Sequence, residues 1–181
     1  MHTINTQRCF LRALGPLDVT TRYVSWLNDP DVNQYLEVRW RRHTIETVRE
    51  DVQYLLDSSR DMLFGIFTKP QIIHIGNVKL SEVNLRYGTA EIGFLIGESN
   101  FWGKGYASEA VRSVCDWAFE EAGIQKVTAG AYAQNIGSRK TLEKVGFVEE
   151  GVLRSQVVLD SGERSDVIRF GLLSGRQESQ T

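Results

Sequence analysis

The chain has 181 residues, of which 41% are hydrophobic and 10% aromatic, and a formal net charge of −2 at pH 7. This composition predicts one globular domain over residues 1–173 with a flexible tail at 174–181, and the near-neutral charge argues against general binding to nucleic acid or to membranes. The two cysteines, Cys9 and Cys115, form no disulfide or metal-ligand pattern, and no apolar run of 18 residues occurs, so we expect a cytoplasmic protein without a metal.

The first third of the chain is predicted to be mostly helical. A strand at residues 8–14 is followed by helices over residues 18–28 and 30–36. Thr44 can then cap a third helix. Its buried stripe is defined by apolar residues at spacings of three and four, namely Ile45, Val48, Val52, Leu55 and Leu56.

From Met62 the apolar pattern changes to alternation, which is typical of strands. It predicts an antiparallel meander of strands at residues 62–68, 72–80 and 90–96, and a helix follows at 107–122. The remaining predicted elements are a strand at 126–133, a helix at 136–145 and a hairpin of strands at 152–159 and 166–173. No internal repeat or low-complexity segment interrupts this order of elements.

The loop between the strand at 90–96 and the helix at 107–122 carries Gly103 and Gly105. Glycine lets the backbone approach a ligand closely, and the first amides of a helix have no intrahelical partner, so together they suit phosphate. No Ser or Thr follows a suitably placed Lys, which excludes a P-loop, and the strand before it is not the N-terminal parallel strand of a dinucleotide-binding GxGxxG turn. The loop is therefore either an anion site or a tight turn.

This loop, W-G-K-G-Y-A after the strand A-E-I-G-F-L-I, and the later segment Y-A-Q-N-I-G-S-R-K-T-L-E-K-V-G-F resemble the GNAT superfamily of N-acetyltransferases. They look most similar to the branch of the ribosomal-protein-alanine and spermidine acetyltransferases, over roughly residues 8–173. The resemblance implies an α/β (α+β) fold with a mixed, mostly antiparallel sheet of six or seven strands and about four helices. It also implies a central splay, where two parallel strands diverge after Leu95 and Ala133.

The resemblance further implies acetyl-CoA as co-substrate and an amine as acceptor, bound by a monomer or homodimer. Trp102 departs from the Arg or Gln of the family's loop motif, but the backbone amides that bind pyrophosphate do not depend on that side chain. The strand before the loop is implied to pair with the pantetheine arm. The implied cofactor-binding residues are Phe94, Leu95, Ile96, Gly103, Lys104, Gly105, Tyr106, Ala107, Ser108, Asn135 and Ser138.

Acetyl transfer needs a proton acceptor, because an alkylammonium with a pKa of about 10.4 is almost fully protonated at neutral pH. Glu91 is the predicted base, or else an ordinary solvated strand residue. Many relatives carry a tyrosine acid where Leu142 stands here. Substitutes by residue type are Ser138, Tyr132 and Cys115, and the resemblance favours Ser138. A noncatalytic acyl-CoA-binding module is the alternative function.

The aromatic and basic first third is implied to line the acceptor cleft. Its predicted substrate-binding residues are Trp26, Tyr35, Arg39 and Arg41. Such a mixture suits rings and phosphates, which favours a nucleotide-linked amino sugar, although a protein N-terminus or an acidic protein surface also fits. The cluster of Arg39, Arg41 and Arg42 is otherwise a solvated helix start.

Overall fold

An eight-stranded sheet runs through residues 3–175, the part of the chain that the computed structural model describes. Its strands are β1 (Thr3–Asn5), β2 (Cys9–Ala13), β3 (Met62–Thr68), β4 (His74–Asn84), β5 (Thr89–Ile96), β6 (Lys126–Tyr132), β7 (Val148–Val158) and β8 (Arg164–Leu173). The helices are α1 (Thr21–Asn28), α2 (Pro30–Asn33), α3 (Ile45–Asp57), α4 (Tyr106–Glu120) and α5 (Ile136–Val145). The spatial order is β1-β2-β3-β4-β5-β6-β8-β7, and only β5 and β6 are parallel among these neighbours.

The predicted fold class is confirmed, with two corrections to its counts within residues 3–175. The sheet has eight strands instead of six or seven, because Thr3–Asn5 pairs with β2 as an edge strand. Three residues are too few to show an alternating pattern. The helices number five instead of about four, and the shortest, α2, ends at Asn33.

Helix starts in the first third follow from side-chain caps. Thr20 accepts a hydrogen bond from the Tyr23 amide, so α1 starts at Thr21 and not at residue 18 as predicted. Thr44 accepts from the Thr47 amide and starts α3 as the sequence predicts. Both caps satisfy amides that would otherwise lack a partner at the helix start.

The two faces of the sheet bury separate clusters of apolar side chains. On β3, Phe64 and Ile66 join the cluster that contains the inner sides of α4 and α5. Alternate residues of the same strand, Leu63 and Phe67, pack with α1 and α3. The sheet is therefore covered on both faces, with α4 and α5 on one side and α1 and α3 on the other.

A split opens in the middle of the sheet between β5 and β6. The two strands pair through Thr89–Lys126, Ala90–Val127 and Glu91–Thr128, and the described residues show no pairing between them beyond that point. The predicted divergence after Leu95 and Ala133 is thus placed too late. β5 stays paired with β4 through Ile96, and β6 with β8 through Tyr132, so both strands keep a strand-like sequence after they separate.

The first residue of the predicted tail, Ser174, belongs to the folded domain. Ser174 is buried, and its amide donates to the Gln125 carbonyl at 2.9 Å. Residues 176–181 of the predicted tail lie outside the described residues. Among residues 3–175, no helix is long and apolar enough to span a membrane.

Candidate active site

The backbone of β5 alternates between two neighbours. The Ala90 carbonyl accepts from Thr128 Oγ1 at 3.4 Å, which shows that even-numbered residues turn their peptide groups toward β6. The Glu91 carbonyl accepts from Ser81 Oγ at 3.4 Å, so odd-numbered residues face β4. Because this alternation continues along a strand, the peptide groups of Ile92, Phe94 and Ile96 face the split.

This edge of the split can accept an extended chain as an added strand. Leu95 was expected to contribute its backbone, but it is paired in register with Asn77 on β4 and its peptide groups face that strand. Ile92 takes its place at the split. The Ile96 carbonyl already accepts from the indole Nε1 of Trp102 at 2.7 Å, so the peptide of Phe94 is the central open position.

The loop after β5 exposes helix amides as the sequence predicts. Gly103 and Gly105 adopt φ values of 69° and 82°, in the region that favours glycine. Gly105 is the N-cap of α4 and supplies no side-chain cap. The amides at the first turn, from Tyr106 to Ser108, are therefore available to an anion.

Two cations from distant parts of the chain converge on this loop. A Cβ built on Gly105 would lie 3.5 Å from Arg8 Nη2 and 3.7 Å from Lys144 Nζ. Arg8 is held in place by Glu109, which accepts from its Nε at 2.7 Å, and by the Lys104 carbonyl, which accepts from its Nη1 at 2.8 Å. Amides and two positive charges together form a site for a phosphate group.

Arg8 and Lys144 were not among the cofactor-binding residues predicted from the sequence. They stand 97 and 39 residues from Gly105, and no local pattern connects them to the loop. Glu109 also accepts from Thr6 Oγ1 at 2.6 Å. Burial pushes the pKa of this carboxyl up, but the hydrogen bonds from Thr6 and Arg8 outweigh burial and the net pKa is lowered.

The second predicted cofactor segment lies at the end of β6. Asn135 caps α5, and its Oδ1 accepts from the Ser138 amide at 3.0 Å. Both residues are therefore in the first turn of α5, directly after the strand that borders the split. Leu142 is buried in the core one turn further along the helix.

Glu91 sits at the last rung that joins β5 to β6. Arg169 donates to both of its oxygens, from Nη1 at 3.1 Å and from Nη2 at 3.0 Å, and each side chain is about one-third exposed. An ammonium ion would have to compete with this bidentate pair. The placement argues for a structural contribution at the vertex of the split.

The substitute acids occupy very different surroundings. Cys115 is buried on the inner side of α4 and therefore lies away from the split. Burial also raises the pKa of its thiol to about 12. Tyr132 ends β6, where its hydroxyl donates to Glu37 and accepts from Arg39 Nη1. Desolvation, followed by the bond to Glu37, raises the pKa of Tyr132, so its hydroxyl stays protonated at neutral pH.

A cavity of about 470 Å³ lies on the other side of β5, between the sheet and helices α1 and α3. Gly93, Phe94 and Leu95 form its wall on β5. Most of its other walls are apolar side chains, and its charged residues are Glu37, Arg41, Asp51 and Lys79. The cavity therefore meets the split at one strand.

The four predicted acceptor residues are distributed unevenly around this cavity. Arg41 lines it, while Trp26 is 3% exposed, donates to Glu98 Oε1 at 3.0 Å and packs where a Cβ on Gly97 would clash. The Tyr35 ring lies edge-on to Tyr132 with centroids 5.9 Å apart, outside the lining. These positions give Trp26 a packing role.

Arg39 also has an enclosed side chain, which is 3% exposed. Its guanidinium donates to Asp160 Oδ1 at 3.1 Å, the Tyr132 hydroxyl at 3.1 Å, the Leu36 carbonyl at 2.8 Å and the Val158 carbonyl at 2.8 Å. These bonds use four of its five N–H groups. The geometry therefore argues against a direct contact with a ligand phosphate, and Arg39 joins the segment before α3 to the hairpin of β7 and β8.

An open strand edge, a glycine-flanked helix start with two cations, and a cavity that reaches the same strand together form a site for an extended phosphate-bearing ligand beside a pocket for a second molecule. Comparison with known proteins gives the particular class. Residues 8–148 match the family described as Acetyltransferase (GNAT) domain. The chain belongs to this family and is an acetyl-CoA-dependent N-acetyltransferase, which confirms the resemblance predicted from its motifs.

Relatives found by sequence and relatives found by structure both carry the names of N-acetyltransferases. The chain is 31% identical over 176 residues to "Uncharacterized N-acetyltransferase p20" of Bacillus licheniformis, covering 96% of this chain and 97% of that protein. It matches spermidine N-acetyltransferase from Vibrio cholerae, in complex with CoA and spermine, with 25% identity and a TM-score of 0.79 over 90% of this chain and 94% of that one. RimL, a ribosomal L7/L12 alpha-N-protein acetyltransferase in complex with coenzyme A, shares the fold with a TM-score of 0.85, at 18% identity over 95% and 98% of the two chains.

Proposed function

We propose that the chain transfers the acetyl group of acetyl-CoA to a primary amine bound in the cavity, by direct attack of the amine on the thioester. One observation carries this proposal, namely the shared use of β5. The Phe94 peptide faces the split, and Gly93, Phe94 and Leu95 line the cavity. A thioester laid along the split and an amine in the cavity would meet at this strand.

The cofactor would use the site from end to end. Its pantetheine amides would pair with the free edge of β5 as an added strand, and its pyrophosphate would accept from the amides between Gly103 and Ser108. Arg8 and Lys144 would neutralise the phosphates. Asn135 and Ser138, at the start of α5, would border the arm from the other side of the split. The complex of the spermidine acetyltransferase with CoA supports this use of the fold.

The Phe94 amide is the proposed donor to the thioester oxygen, which becomes negative as the amine attacks. The donor is fixed by the strand, so it needs no reorganisation during the reaction. Losing such a donor elsewhere costs about 2.7 to 4 kcal/mol of transition-state stabilisation. The new C–N bond forms, the C–S bond breaks, and the amine must lose one proton.

Two carboxylates compete for that proton. Glu91, the base predicted from the sequence, has both oxygens bound by Arg169 and does not belong to the cavity lining. Glu37 lines the cavity, is exposed, and has one oxygen bound by the Tyr132 hydroxyl. Because its second oxygen carries no bond to a described residue, we assign the proton to Glu37 and keep Glu91 as the alternative.

The leaving thiolate takes up a proton after the C–S bond breaks. Ser138, predicted from the resemblance, lies in the first turn of α5, and Tyr132 ends the neighbouring strand. Both residues lie at or just after the end of β6, the strand that borders the split, and each carries a hydroxyl that can donate a proton. The acid role therefore rests with these two side chains.

The proposal is tested by mixing the purified chain with acetyl-CoA and a panel of amines while following thiol release and product mass. The panel holds alanine- and serine-started peptides, polyamines, aralkyl amines and nucleotide amino sugars. At least one amine should give a stoichiometric acetylated product. Tight CoA binding with no acetylated product from any amine would support the noncatalytic acyl-CoA-binding module instead.

A further inference from the structure

The walls of the cavity indicate which part of the acceptor it holds. Apolar side chains enter from both the helices and the sheet, among them Leu27, Val48, Val52, Leu55, Leu63 and Leu95. A volume of about 470 Å³ is in the usual range for a bound small molecule, and it exceeds what a methyl or ethyl substituent fills.

Three of the four charged residues of the cavity, all except Glu37, are already paired with an opposite charge. Arg41 pairs with Asp51 inside the lining. Lys79 pairs with Asp61 at 3.5 Å, and Glu37 holds the Tyr132 hydroxyl. The four charged lining residues carry two positive and two negative charges, so their formal charges cancel.

This balance separates classes of amine. A polyamine needs several carboxylates for its repeated ammonium groups, and a phosphorylated amine needs cations that are not committed elsewhere. Burying extra ligand charge in an apolar cavity without such partners is costly. An amine with a single ammonium group needs only one carboxylate and no free cation. Its apolar substituent can occupy the apolar part of the cavity.

Gly93 supplies the space beside the reacting strand. A Cβ built on this residue meets no atom of residues 3–175 within 4 Å, and the φ of Gly93 is not positive. Its backbone therefore does not require glycine. The missing side chain leaves the cavity open directly beside the Phe94 peptide.

We propose that the acceptor is a primary monoamine with one apolar substituent, branched or aromatic, which lies over Gly93. This inference rests on the proposed function and narrows its acceptor. Phenethylamine and isoamylamine represent the class, while spermidine and glucosamine 6-phosphate represent the two classes that the charge balance excludes. Gly93 is then a residue that determines specificity.

The test compares kcat/KM for these four amines and then repeats it with Gly93→Leu. The wild-type value for phenethylamine should exceed those for spermidine and glucosamine 6-phosphate by at least about tenfold, which corresponds to 1.4 kcal/mol. Gly93→Leu should raise the phenethylamine KM by about tenfold or more and leave CoA affinity unchanged. Gly151→Leu, on β7 and also without an atom within 4 Å of a built Cβ, is the matched control and should change neither value.

Preference for spermidine or for the phosphorylated amine would overturn the inference and leave acetyl transfer standing. An unchanged phenethylamine KM in folded Gly93→Leu would overturn it as well. Absence of thiol release with every amine would instead count against the proposed function. If Gly93→Leu does not fold, the order of the four wild-type values decides alone.

Discussion

The cofactor side and the acceptor side of β5 are built in different ways. On the cofactor side, the strand edge, the loop and the first turn of α4 fall within residues 92–108 and act through backbone groups. On the acceptor side, the cavity wall joins side chains from α1, α3 and three strands across residues 23–95. Backbone recognition can therefore be read from local sequence, whereas a cavity made by packing cannot.

The two sides also differ in what their charged residues do. Arg8 Nη2 and Lys144 Nζ point at the position that a Gly105 side chain would occupy, where a phosphate fits. Arg41 and Arg39 are engaged by protein groups, Asp51 for the first and Asp160 for the second. Arg8 is also bound by Glu109 and by the Lys104 carbonyl, but its Nη2 has no hydrogen bond to a described residue, whereas all three guanidinium nitrogens of Arg39 are used.

The largest expected effect tests the chemistry where the two sides meet. Glu37→Gln should lower kcat by about 10² to 10⁴, the usual range for a positioned proton acceptor. CoA affinity, measured by calorimetry, should stay unchanged, because Glu37 belongs to the cavity lining.

Glu91→Gln is the comparison variant for that experiment. It should lower the free energy of unfolding by weakening the pair with Arg169, with a smaller change in kcat. If Glu91→Gln alone removes activity while Glu37→Gln retains it, the base is Glu91 and the assignment to Glu37 is wrong.

The next effect isolates the cofactor side. Gly105→Val should weaken CoA binding by about 100-fold. The valine side chain would block the amides of the loop and the approach of a phosphate to Arg8 and Lys144. Each such charge-assisted contact is worth about 1.5 to 3 kcal/mol. Gly123→Val is the matched control, because Gly123 has a φ of 72° and no described atom within 4 Å of a built Cβ. Equal losses of CoA affinity in both variants would attribute the effect to backbone strain.

The same contrast explains how far the sequence could be interpreted. The loop glycines and the bounds of α5, Ile136–Val145, were predicted because turn and helix-end signals are local. The split was placed too late, because pairing between β5 and β6 depends on strands 37 residues apart, and both keep their other neighbours. The direction of the peptide groups next to Leu95 could not be assigned without knowing which strand lies on each side of β5.

 The peptide groups of Leu95 face β4, where Leu95 is paired with Asn77.

On the acceptor side, the prediction came from amino-acid composition and not from a local motif. Aromatic and basic composition around Trp26 and Arg39 was interpreted as ligand binding, yet both side chains are almost fully buried and bonded to protein groups. Composition does not distinguish a side chain that packs in the protein interior from one that binds a ligand. Arg8 and Lys144 were missed for the related reason that only the fold brings them to the loop.

A smaller effect tests the distant cations of the cofactor side. Lys144→Ala should weaken CoA binding by about tenfold, the lower end for a charge-assisted contact, because 1.4 kcal/mol corresponds to a factor of ten. The salt dependence of binding should also become shallower, since one charge contact is lost. Lys140→Ala removes an exposed lysine from the same helix and serves as the control. Equal affinity of both variants for CoA would show that Lys144 does not contact the phosphates.

The smallest expected effect concerns the basic residues of the acceptor side. Arg41 is more than half exposed but paired with Asp51, and Arg42 is exposed and lies outside the cavity lining. Exposed ion pairs contribute only about 0 to 1 kcal/mol, so Arg41→Ala and Arg42→Ala should each change the KM of any accepted amine by less than about fivefold. The measurement is a KM for phenethylamine and one for glucosamine 6-phosphate in each variant, with the CoA KM as the internal reference. A rise of tenfold or more in Arg41→Ala that is confined to glucosamine 6-phosphate would show that Arg41 leaves Asp51 to bind phosphate, and it would again favour a phosphate-bearing amino sugar, such as the nucleotide-linked amino sugar predicted from the sequence.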